Sequence, residues 1–368
     1  MSPTRGVLAV AVVLALGGCS SPAGTRWAAP QPTAVASAAS TWTPREFTVL
    51  GAGDVLLHES LWNTAKQDAG GTGYDFGPMF AAVKPVVSEA DLAICHMETP
   101  LGEPAGPFSG YPLFNVPPQV AVTLKDVGYD SCSTASNHTL DVGERGVYRT
   151  LDVLEAAGLR HAGSHRDQRE HDTPTLVYAR GVQIAHLSYT FSFNGLVRPE
   201  GKEWIANALD VRAVLDEARR ARAAGAEVVI VSVHWGTEYQ HEADDFQQAT
   251  ARDLLASPDV DLILGAHVHV VQPFERLGDK WVAYGMGNQV AWQNQSLVTR
   301  DGVMPRFTFT ETAPGVWRVS KAEALPTWMR LDSGPGRLEY CPGSAGEACA
   351  ASARRSMEIV RSMGATVQ

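Results

Sequence analysis

Four apolar segments rich in β-branched residues each lead into a side chain that can bind a metal ion. The segments are residues 47–52, 91–97, 228–233 and 260–264, and the side chains that follow them are Asp54, Glu98, His234 and His267. Short apolar runs of this kind are typical of buried strands in an α/β sheet. Such sheets bind ligands beyond the carboxyl ends of their strands. The pattern therefore predicts an α/β fold in which these four side chains meet at one edge of a sheet.

Helix-like segments alternate with the predicted strands from residue 47 to residue 290. Residues 210–224 place Val211, Val214 and Ala218 on one face, and residues 142–158 show the same amphipathic spacing. Further helices are predicted at residues 80–88 and 245–256, and further strands at residues 129–135, 175–178, 183–189, 281–285, 306–311 and 316–322. Alternation followed by a run of strands favours an α/β fold with a mixed sheet or two stacked sheets. Because no internal boundary is evident, we predict one domain over residues 46–330, followed by a C-terminal extension over residues 331–368.

The first 19 residues have the features of an export signal. Arg5 precedes an apolar run over residues 7–16, which is shorter than the roughly 20 residues that a membrane-spanning helix needs. The run ends in Leu16-Gly17-Gly18-Cys19, which resembles the cleavage box of a bacterial lipoprotein with Cys19 as the lipid acceptor. The alternative is an ordinary secretory peptide with a chance cysteine. Residues 20–45 are rich in Ala, Pro, Ser and Thr, which predicts a disordered tether. The expected location is the outer face of the cytoplasmic membrane, with the lipid on Cys19 as the anchor.

The net charge indicates which classes of partner to expect, and the cysteines indicate which of them form disulfides. The formal net charge is −10, and no lysine-arginine stripe interrupts it, so nucleic acid is not an expected partner. Cys341 and Cys349 bracket a short Pro-Gly-Ser-rich loop, and we predict a disulfide between them, as is common in exported proteins. Cys95 and Cys132 lie on two predicted neighbouring strands and either pair or fill the core.

Two histidines close together mark the last of the four motifs. His267 and His269 are two residues apart in an extended segment or a tight loop, so both imidazoles can face the same way. A buried histidine is more often a hydrogen-bonded core residue than a ligand. Together with Asp54, Glu98 and His234, however, this pair favours metal binding.

Other candidate site residues have alternative roles. Asn137 is either a turn residue or an amide ligand, with His138 beside it as a proton donor. His96 shares a strand face with the glutamate that follows its strand, so it is either a ligand or the partner of one. His58 can reach a metal only if the chain becomes helical there, and Asn288 either lines the site or forms a plain turn. The remaining histidines have no ligand-type neighbours in sequence and are interpreted as surface or core residues: His161, His165, His171, His186 and His241.

Five motifs resemble those of the poly-γ-glutamate capsule biosynthesis protein CapA family, which is similar to calcineurin-like metallophosphoesterases. The motifs lie at residues 53–58, 97–101, 135–143, 234–239 and 265–273. The resemblance covers about residues 46–292 and implies two mixed β-sheets flanked by helices. It also implies two divalent ions, Mn, Fe, Zn or Mg. One would be bound by Asp54, Glu98 and His269, and the other by Glu98, Asn137, His234 and His267, with Glu98 bridging.

The chain also departs from these relatives. Metallophosphoesterases usually have histidine at the place of Leu56, aspartate at that of Glu98 and often an acidic residue at that of Thr139. The capsule family usually has asparagine where this chain has His96. Because Leu56 cannot bind a metal, the first ion lacks one ligand unless His58, His96 or water takes that place.

The export signal predicts an envelope-tethered protein, and the resemblance implies a role in poly-γ-glutamate capsule synthesis or export. Two divalent ions bring four positive charges and the two carboxylates return two, so the site would suit an anionic phosphate or carboxylate group. His138 would protonate the leaving group. We therefore predict a metal-dependent hydrolase or transferase that acts on an anionic polymer, poly-γ-glutamate by resemblance, or on a phosphoester, with capsule-machinery proteins as further partners. The alternatives are a non-catalytic polyglutamate-binding export or anchoring factor, which Leu56 favours, and a phosphatase with an unrelated envelope substrate.

Overall fold

The computed structural model describes residues 9–15, 42–332 and 334–368. Cys19, most of the predicted signal and most of the predicted tether lie outside these ranges, so export and lipidation stay predictions. Residues Thr43–Gln368 form one compact unit. Within the described ranges, no helix has the length and apolar character needed to cross a bilayer.

Two mixed β-sheets lie at the centre of this unit. Their strands are β1 (Glu46–Leu56), β2 (Leu92–Met97), β3 (Ser131–Ser133), β4 (Arg160–Ala162), β5 (Leu176–Ala179), β6 (Val182–Thr190), β7 (Val228–His234), β8 (Leu262–Ala266), β9 (Phe274–Leu277), β10 (Lys280–Ala283), β11 (Asn288–Ala291), β12 (Asp301–Ala313), β13 (Val316–Arg330) and β14 (Arg337–Tyr340). The first sheet has the order β14-β13-β12-β1-β2-β3-β4, with β11 also paired to β1, and the second has the order β5-β6-β7-β8-β10-β9. In the first sheet β1 to β4 run parallel, and in the second β6, β7, β8 and β10 do.

Helices flank the two sheets. They are α1 (Glu59–Asp68), α2 (Gly77–Phe80), α3 (Lys84–Glu89), α4 (Gln119–Val127), α5 (Gly143–Ala156), α6 (Gln168–Asp172), α7 (Val211–Ala223), α8 (Asp245–Ala256) and α9 (Glu347–Val360). Parallel strands covered on both faces should be apolar throughout, and every residue of β2, β7 and β8 is buried. The predicted architecture of two mixed sheets flanked by helices is confirmed.

Alternation along β1 shows how the layers pack. Phe47 and Val49 belong to the apolar cluster that also contains Ile184 and Leu262 of the second sheet. Leu50 belongs instead to the cluster shared with α1, α2 and α4. Because successive side chains of a strand point to opposite faces, β1 packs against the second sheet on one side and against helices on the other.

The structure differs from the predicted elements in two places, of which the first concerns the site. β1 continues to Leu56, so Asp54 lies inside the strand, at a break in the register with β2, and not beyond its end. The chain after residue 330 is part of the same unit, since β14 pairs with β13. Both cysteine pairs are joined as disulfides, Cys341 with Cys349 and Cys95 with Cys132.

Candidate metal centre

The parallel strands of both sheets end on one side of the molecule, where their ligand-type side chains converge. Asp54 comes from β1, Glu98 follows β2, His234 ends β7, and the loop after β8 carries the remaining two histidines. All of them are buried, with exposed fractions of 0% for Asp54, 1% for Glu98 and His234, 5% for His267 and 3% for His269. Side chains that are separated by more than two hundred residues in sequence therefore share one buried volume.

Two glycines allow the strands to come this close. A Cβ on Gly53 would lie 1.8 Å from the carbonyl oxygen of Gly287, and a Cβ on Gly265 would lie 1.9 Å from that of Tyr284. The backbone N–H of Asp54 donates to the same Gly287 carbonyl at 3.0 Å. The position of the Asp54 carboxylate thus depends on a strand contact that only glycine permits.

Asp54, Glu98 and His269 form the first group of donors. Their ligand atoms all lie within 4.8 Å of one another, with His269 Nδ1 3.0 Å from Asp54 Oδ2 and His269 Nε2 3.8 Å from Glu98 Oε1. Both carboxylate oxygens of Glu98 are buried without a hydrogen-bond partner among the described residues. A buried carboxylate is expensive unless it is paired or binds a metal. The donor set therefore fits a divalent cation, which would supply the missing partner.

Without a bound metal, protons on the donor side chains offset the buried negative charge. Burial alone would lower the pKa of His269, but the charges of Glu98 and Asp54 and a hydrogen bond to Asp54 raise it to about 9. Burial opposes ionisation of Asp54 as well, yet its hydrogen bond to His269 keeps the pKa of Asp54 below its ordinary value. For Glu98, burial and the nearby Asp54 charge raise the pKa well above its ordinary value. Metal binding here should release protons.

His234 and Asn137 form a second group, in which one ring has a fixed orientation. His234 Nε2 lies 2.9 Å from Asn137 Oδ1, and its Nδ1 lies 2.9 Å from His96 Nε2. His96 Nδ1 in turn lies 2.7 Å from the Ser133 hydroxyl. Burial lowers the pKa of His96 to about 4 and that of His234 well below its ordinary value. Each ring is therefore neutral at neutral pH and carries a single proton.

This chain of hydrogen bonds can run in either direction. In one, the Ser133 hydroxyl donates to His96, His96 to His234, and His234 Nε2–H to Asn137. In the other, Ser133 donates to the carbonyl of Cys95, 3.3 Å away, and both rings switch tautomer, so that the Nε2 lone pair of His234 faces Asn137 Oδ1. Two acceptors that face each other at 2.9 Å suit a shared cation. His96 is thus a hydrogen-bond partner of His234. It also belongs to a further group of possible ligands, since the ligand atoms of Asp54, His96 and His234 lie within 4.8 Å of one another.

His267 and His269 lie in a tight loop, the second of the two predicted geometries. Their φ angles are 100° and 58°, in the left-handed region where a non-glycine residue costs on the order of 1–3 kcal/mol. His267 Nδ1 is buried without a hydrogen-bond partner among the described residues. The ring centroids of His267 and His234 are 4.6 Å apart. This unpartnered nitrogen beside His234 is consistent with a ligand role for His267 at the second ion.

The other candidate ligands have different roles in the structure. His58 Nδ1 lies 3.1 Å from Leu56 O and 3.2 Å from the backbone nitrogen of Trp292, and His58 is part of the wall of a cavity that His269 also lines. Asn288 Oδ1 lies 3.0 Å from His269 Nδ1, and the Asn288 amide donates to Thr299 O at 2.8 Å. Asn288 therefore orients a ligand.

His138 has a carboxylate partner that the sequence did not single out. Its Nδ1 lies 2.7 Å from Asp141 Oδ2, which also accepts the backbone N–H of Phe114 at 2.7 Å. The only sequence signal for this pair is their spacing of three residues within a turn. Asp141 fixes the proton on Nδ1, so the other ring nitrogen of His138 is available for proton transfer.

A cavity of about 470 Å³ borders these groups, and its wall includes Asn137, His138 and His269. The rest of the wall is mainly aromatic and aliphatic, including Tyr111 and Tyr239. A ligand in this cavity would contact His269 of the first donor group and His138 together.

Among the histidines interpreted as surface or core residues, His161 is buried. His161 has two acidic neighbours, with Glu155 Oε1 at 3.1 Å and Glu170 Oε1 at 3.9 Å from its Nε2. The guanidinium of Arg166 bonds to both carboxylates. This cluster is therefore an ion-pair network whose cation is Arg166.

Comparisons with known proteins give the family. Residues 48–293 match the model of the bacterial capsule synthesis protein family PGA_cap. The chain is 26% identical over 198 residues to the capsule biosynthesis protein CapA of Bacillus anthracis, with 52% of this chain and 47% of that protein covered. It is 29% identical over 219 residues to the PGA biosynthesis protein CapA of Bacillus subtilis, with 57% and 56% covered. The chain spans about half the length of these curated relatives.

Similar solved structures include a calcineurin-like phosphoesterase from Bacillus subtilis, with a TM-score of 0.46 and 14% identity, over 86% of this chain and 98% of that chain. A phosphatase from Mycoplasma pneumoniae has a TM-score of 0.46 and 14% identity, over 77% and 94%. The family match extends over more than half of the chain, from β1 to the cavity wall at Gln293. The chain therefore belongs to the bacterial capsule synthesis protein family, as its motifs predicted.

Proposed function

We propose that this protein is a metal-dependent hydrolase of the cell envelope that cleaves a phosphoester during capsule synthesis. The observation that carries the proposal is the pair of unpartnered, buried Glu98 oxygens among Asp54 and His269, next to a cavity that His138 also lines. Family membership and the names of the two Bacillus relatives support a role in capsule synthesis. A relative named probable polyglutamine synthesis accessory protein, from Mycobacterium tuberculosis, is 26% identical over 171 residues, with 43% of this chain and 44% of that protein covered.

The buried donors divide between two ions. Asp54, Glu98 and His269, whose ligand atoms lie within 4.8 Å of one another, would bind one. Asn137, His234 and His267 would bind the other, since Asn137 Oδ1 lies 2.9 Å from His234 Nε2 and His267 Nδ1 has no hydrogen-bond partner among the described residues. When bound, divalent cations polarise a phosphoryl oxygen and make water more acidic. The two carboxylates leave such a site net positive, which suits an anionic phosphoester.

His138 and Asp141 supply the proton transfer. The carboxylate of Asp141 holds the Nδ1 proton of His138, so the ring can carry a second proton on Nε2 and give it to the departing oxygen. A positioned acid of this kind commonly contributes about 10²- to 10⁴-fold in rate. A protein that only binds polymer would have no use for such a pair.

A second candidate function is a non-catalytic factor that grips polyglutamate through bound metal. The observation that favours it is Leu56, a buried side chain with no donor atom at a position where metallophosphoesterases usually have a ligand. A weakened first site would bind an anionic group without activating water.

Metal content and turnover separate the two functions. The full chain is loaded with Mn²⁺, Zn²⁺ or Mg²⁺, its metal is counted by elemental analysis, and hydrolysis of p-nitrophenyl phosphoesters and of γ-glutamyl p-nitroanilide is followed. We expect chelator-sensitive phosphoester cleavage. In the His138→Gln variant, with unchanged metal content, cleavage of an alkyl phosphoester should fall more than that of the p-nitrophenyl ester, whose leaving group departs without a proton. Metal-loaded protein that cleaves neither substrate but binds poly-γ-glutamate would establish the second function instead.

We also propose that lipid on Cys19 tethers the protein to the outer face of the cytoplasmic membrane. Support comes from the sequence Leu16-Gly17-Gly18-Cys19 at the end of the apolar run. Labelling of cells with a palmitate analogue should mark the parent protein, and Cys19→Ser should abolish the label and release the protein from membranes. A labelled Cys19→Ser variant would contradict the tether.

A further inference from the structure

The wall of the cavity beside the metal donors has an unusual composition for a site that serves an anionic polymer. It contains Tyr111, Leu113, Leu196, Tyr239 and Trp292, together with the amides of Asn194, Gln293 and Gln295. Among the described residues that line it, none is lysine or arginine, and Glu238 is the one carboxylate. Several aromatic and aliphatic members are open to solvent, with exposed fractions of 80% for Tyr111, 48% for Leu113 and 47% for Tyr239.

This wall lacks the charge that a long polyanion needs. A poly-γ-glutamate chain carries a carboxylate on every residue, so each unit beyond the metal centre needs a cation or water. Glu238, in the same wall as the ligand His269, adds a negative charge where a polyanion would pass. Repulsion between Glu238 and the carboxylates of a polyanion would weaken its binding, so this wall selects against a polyanion.

The same wall suits an uncharged ring with a polar edge. Tyrosine and tryptophan present an apolar face and a polar group, and amide side chains both donate and accept hydrogen bonds. Asn194 Oδ1 accepts from the Asn137 amide at 3.2 Å, which fixes one of these amides beside a metal donor. Tyr239 is held in place by its backbone N–H, which donates to Val268 O at 2.8 Å within the histidine loop. The recognition groups are thus built onto the metal centre itself.

From this arrangement we infer that the substrate is a phosphoester of a neutral sugar, with its phosphate at the metal donors and its sugar ring against Tyr111 and Tyr239, and that the polyglutamate chain does not enter the cavity. The inference rests on the proposed phosphoesterase function and names its substrate class. A nucleoside could present similar ring chemistry, so the test includes one.

The test compares three p-nitrophenyl phosphodiesters whose second ester is glucosyl, thymidylyl or methyl, with Mn²⁺-loaded full-length protein. We expect kcat/KM for the glucosyl ester to be at least ten times that for the methyl ester. We also expect kcat/KM for the glucosyl ester to exceed that for the thymidylyl ester, by a smaller factor. Tyr111→Ala and Tyr239→Ala should each lower kcat/KM for the glucosyl ester more than kcat/KM for the methyl ester, so that most of the glucosyl advantage is lost. Phe246→Ala is the matched control, because this aromatic residue is 49% exposed and lies outside the cavity wall.

Polymer inhibition gives a second readout. Poly-γ-glutamate should inhibit no more than monomeric glutamate at equal carboxylate concentration, and Glu238→Lys should make the polymer inhibit. Equal kcat/KM for glucosyl and methyl esters, preference for the thymidylyl ester, or strong inhibition of the parent protein by the polymer would each overturn the inference while the phosphoesterase function stands.

Calorimetry keeps the inference testable if none of the esters is cleaved. In that case the proposed function fails, and binding is measured directly on the metal-loaded protein with glucose 1-phosphate and with a γ-glutamyl tripeptide. Tighter binding of the sugar phosphate, weakened by Tyr239→Ala, would support the inference. Tighter binding of the peptide would refute it.

Discussion

Replacing Glu98 with glutamine should change stability in opposite directions with and without metal. Burial and the Asp54 charge raise the pKa of Glu98 well above its ordinary value of 4.5. A group whose folded-state pKa is raised contributes stability below its unfolded-state pKa and loses that contribution as pH rises. In the metal-free protein the Glu98 side chain is therefore a growing liability between pH 4.5 and neutral pH.

An upper limit for this destabilisation follows from the difference between the pH and the ordinary pKa of a glutamate. At pH 7.5, three units above the ordinary pKa of 4.5, this destabilisation is at most about 4 kcal/mol, and at pH 5.5 it is at most about 1.4 kcal/mol. Glutamine has the same shape and no such cost. We expect Glu98→Gln to raise the free energy of unfolding in EDTA, and by more at pH 7.5 than at pH 5.5.

Addition of metal should reverse the effect. A cation at 100 times its dissociation constant stabilises the folded state by about 2.7 kcal/mol, and the variant, which lacks the carboxylate, should lose most of this gain. The assay is urea unfolding at both pH values, in EDTA and in Mn²⁺. Glu217→Gln is the control for the metal response, because Glu217 is a buried glutamate whose partner is Tyr189, outside the donor groups. If Glu98→Gln were less stable than the parent in EDTA at pH 7.5, or responded fully to Mn²⁺, the assignment of Glu98 as a ligand would be wrong.

Three further predictions address residues around the donors. His138→Gln should lower kcat about 10²- to 10⁴-fold with unchanged metal content, and Asp141→Asn should shift the pH–rate profile; parental turnover in the first variant would exclude the acid role. His96→Leu should weaken metal binding about 10- to 100-fold in calorimetric titrations, because His234 loses its partner at Nδ1; unaltered affinity would show that His234 is oriented by other contacts. Burial lowers the pKa of His186 to about 3, so its contribution to stability is present above the unfolded-state pKa of about 6.5 and falls by about 1.4 kcal/mol between pH 7.5 and pH 5.5. His186→Gln should remove this part of the acid sensitivity in urea unfolding, whereas Ile184→Val, in the same strand, should cost the same at both pH values.

Long, strongly patterned elements could be predicted from sequence because their signal is local. The strand predicted at residues 228–233 is β7, and the helix predicted at 210–224 is α7. β4 was missed because it has only three residues, and its strand character comes from pairing with β3. α1 and α4 were not predicted, because the regions before them were interpreted from their motifs and not from the periodicity of apolar residues.

The ligand set could be proposed from strand ends, but the contacts that orient it could not. The sequence places His96 and His234 138 residues apart, and nothing local indicates that their rings meet. The partnership of Asp141 with His138 depends on how a turn closes, and the fixed position of Asn288 depends on its pairing with β1 at Asp54. The cavity wall likewise combines loops from distant parts of the chain, so its lack of basic side chains becomes visible only in three dimensions.

The disulfide between Cys95 and Cys132 has a consequence for the hydrogen-bonded histidines. These cysteines face each other across β2 and β3, and the next pair along the same two strands is His96 and Ser133. Because a slip of one residue would turn every side chain of a strand to the opposite face, a covalent crosslink one step away locks the alignment on which the tautomer exchange of His96 and His234 depends. Maturation of the metal-binding chemistry would then be coupled to thiol oxidation, so that a newly made chain completes its most demanding piece of geometry only in an oxidising compartment.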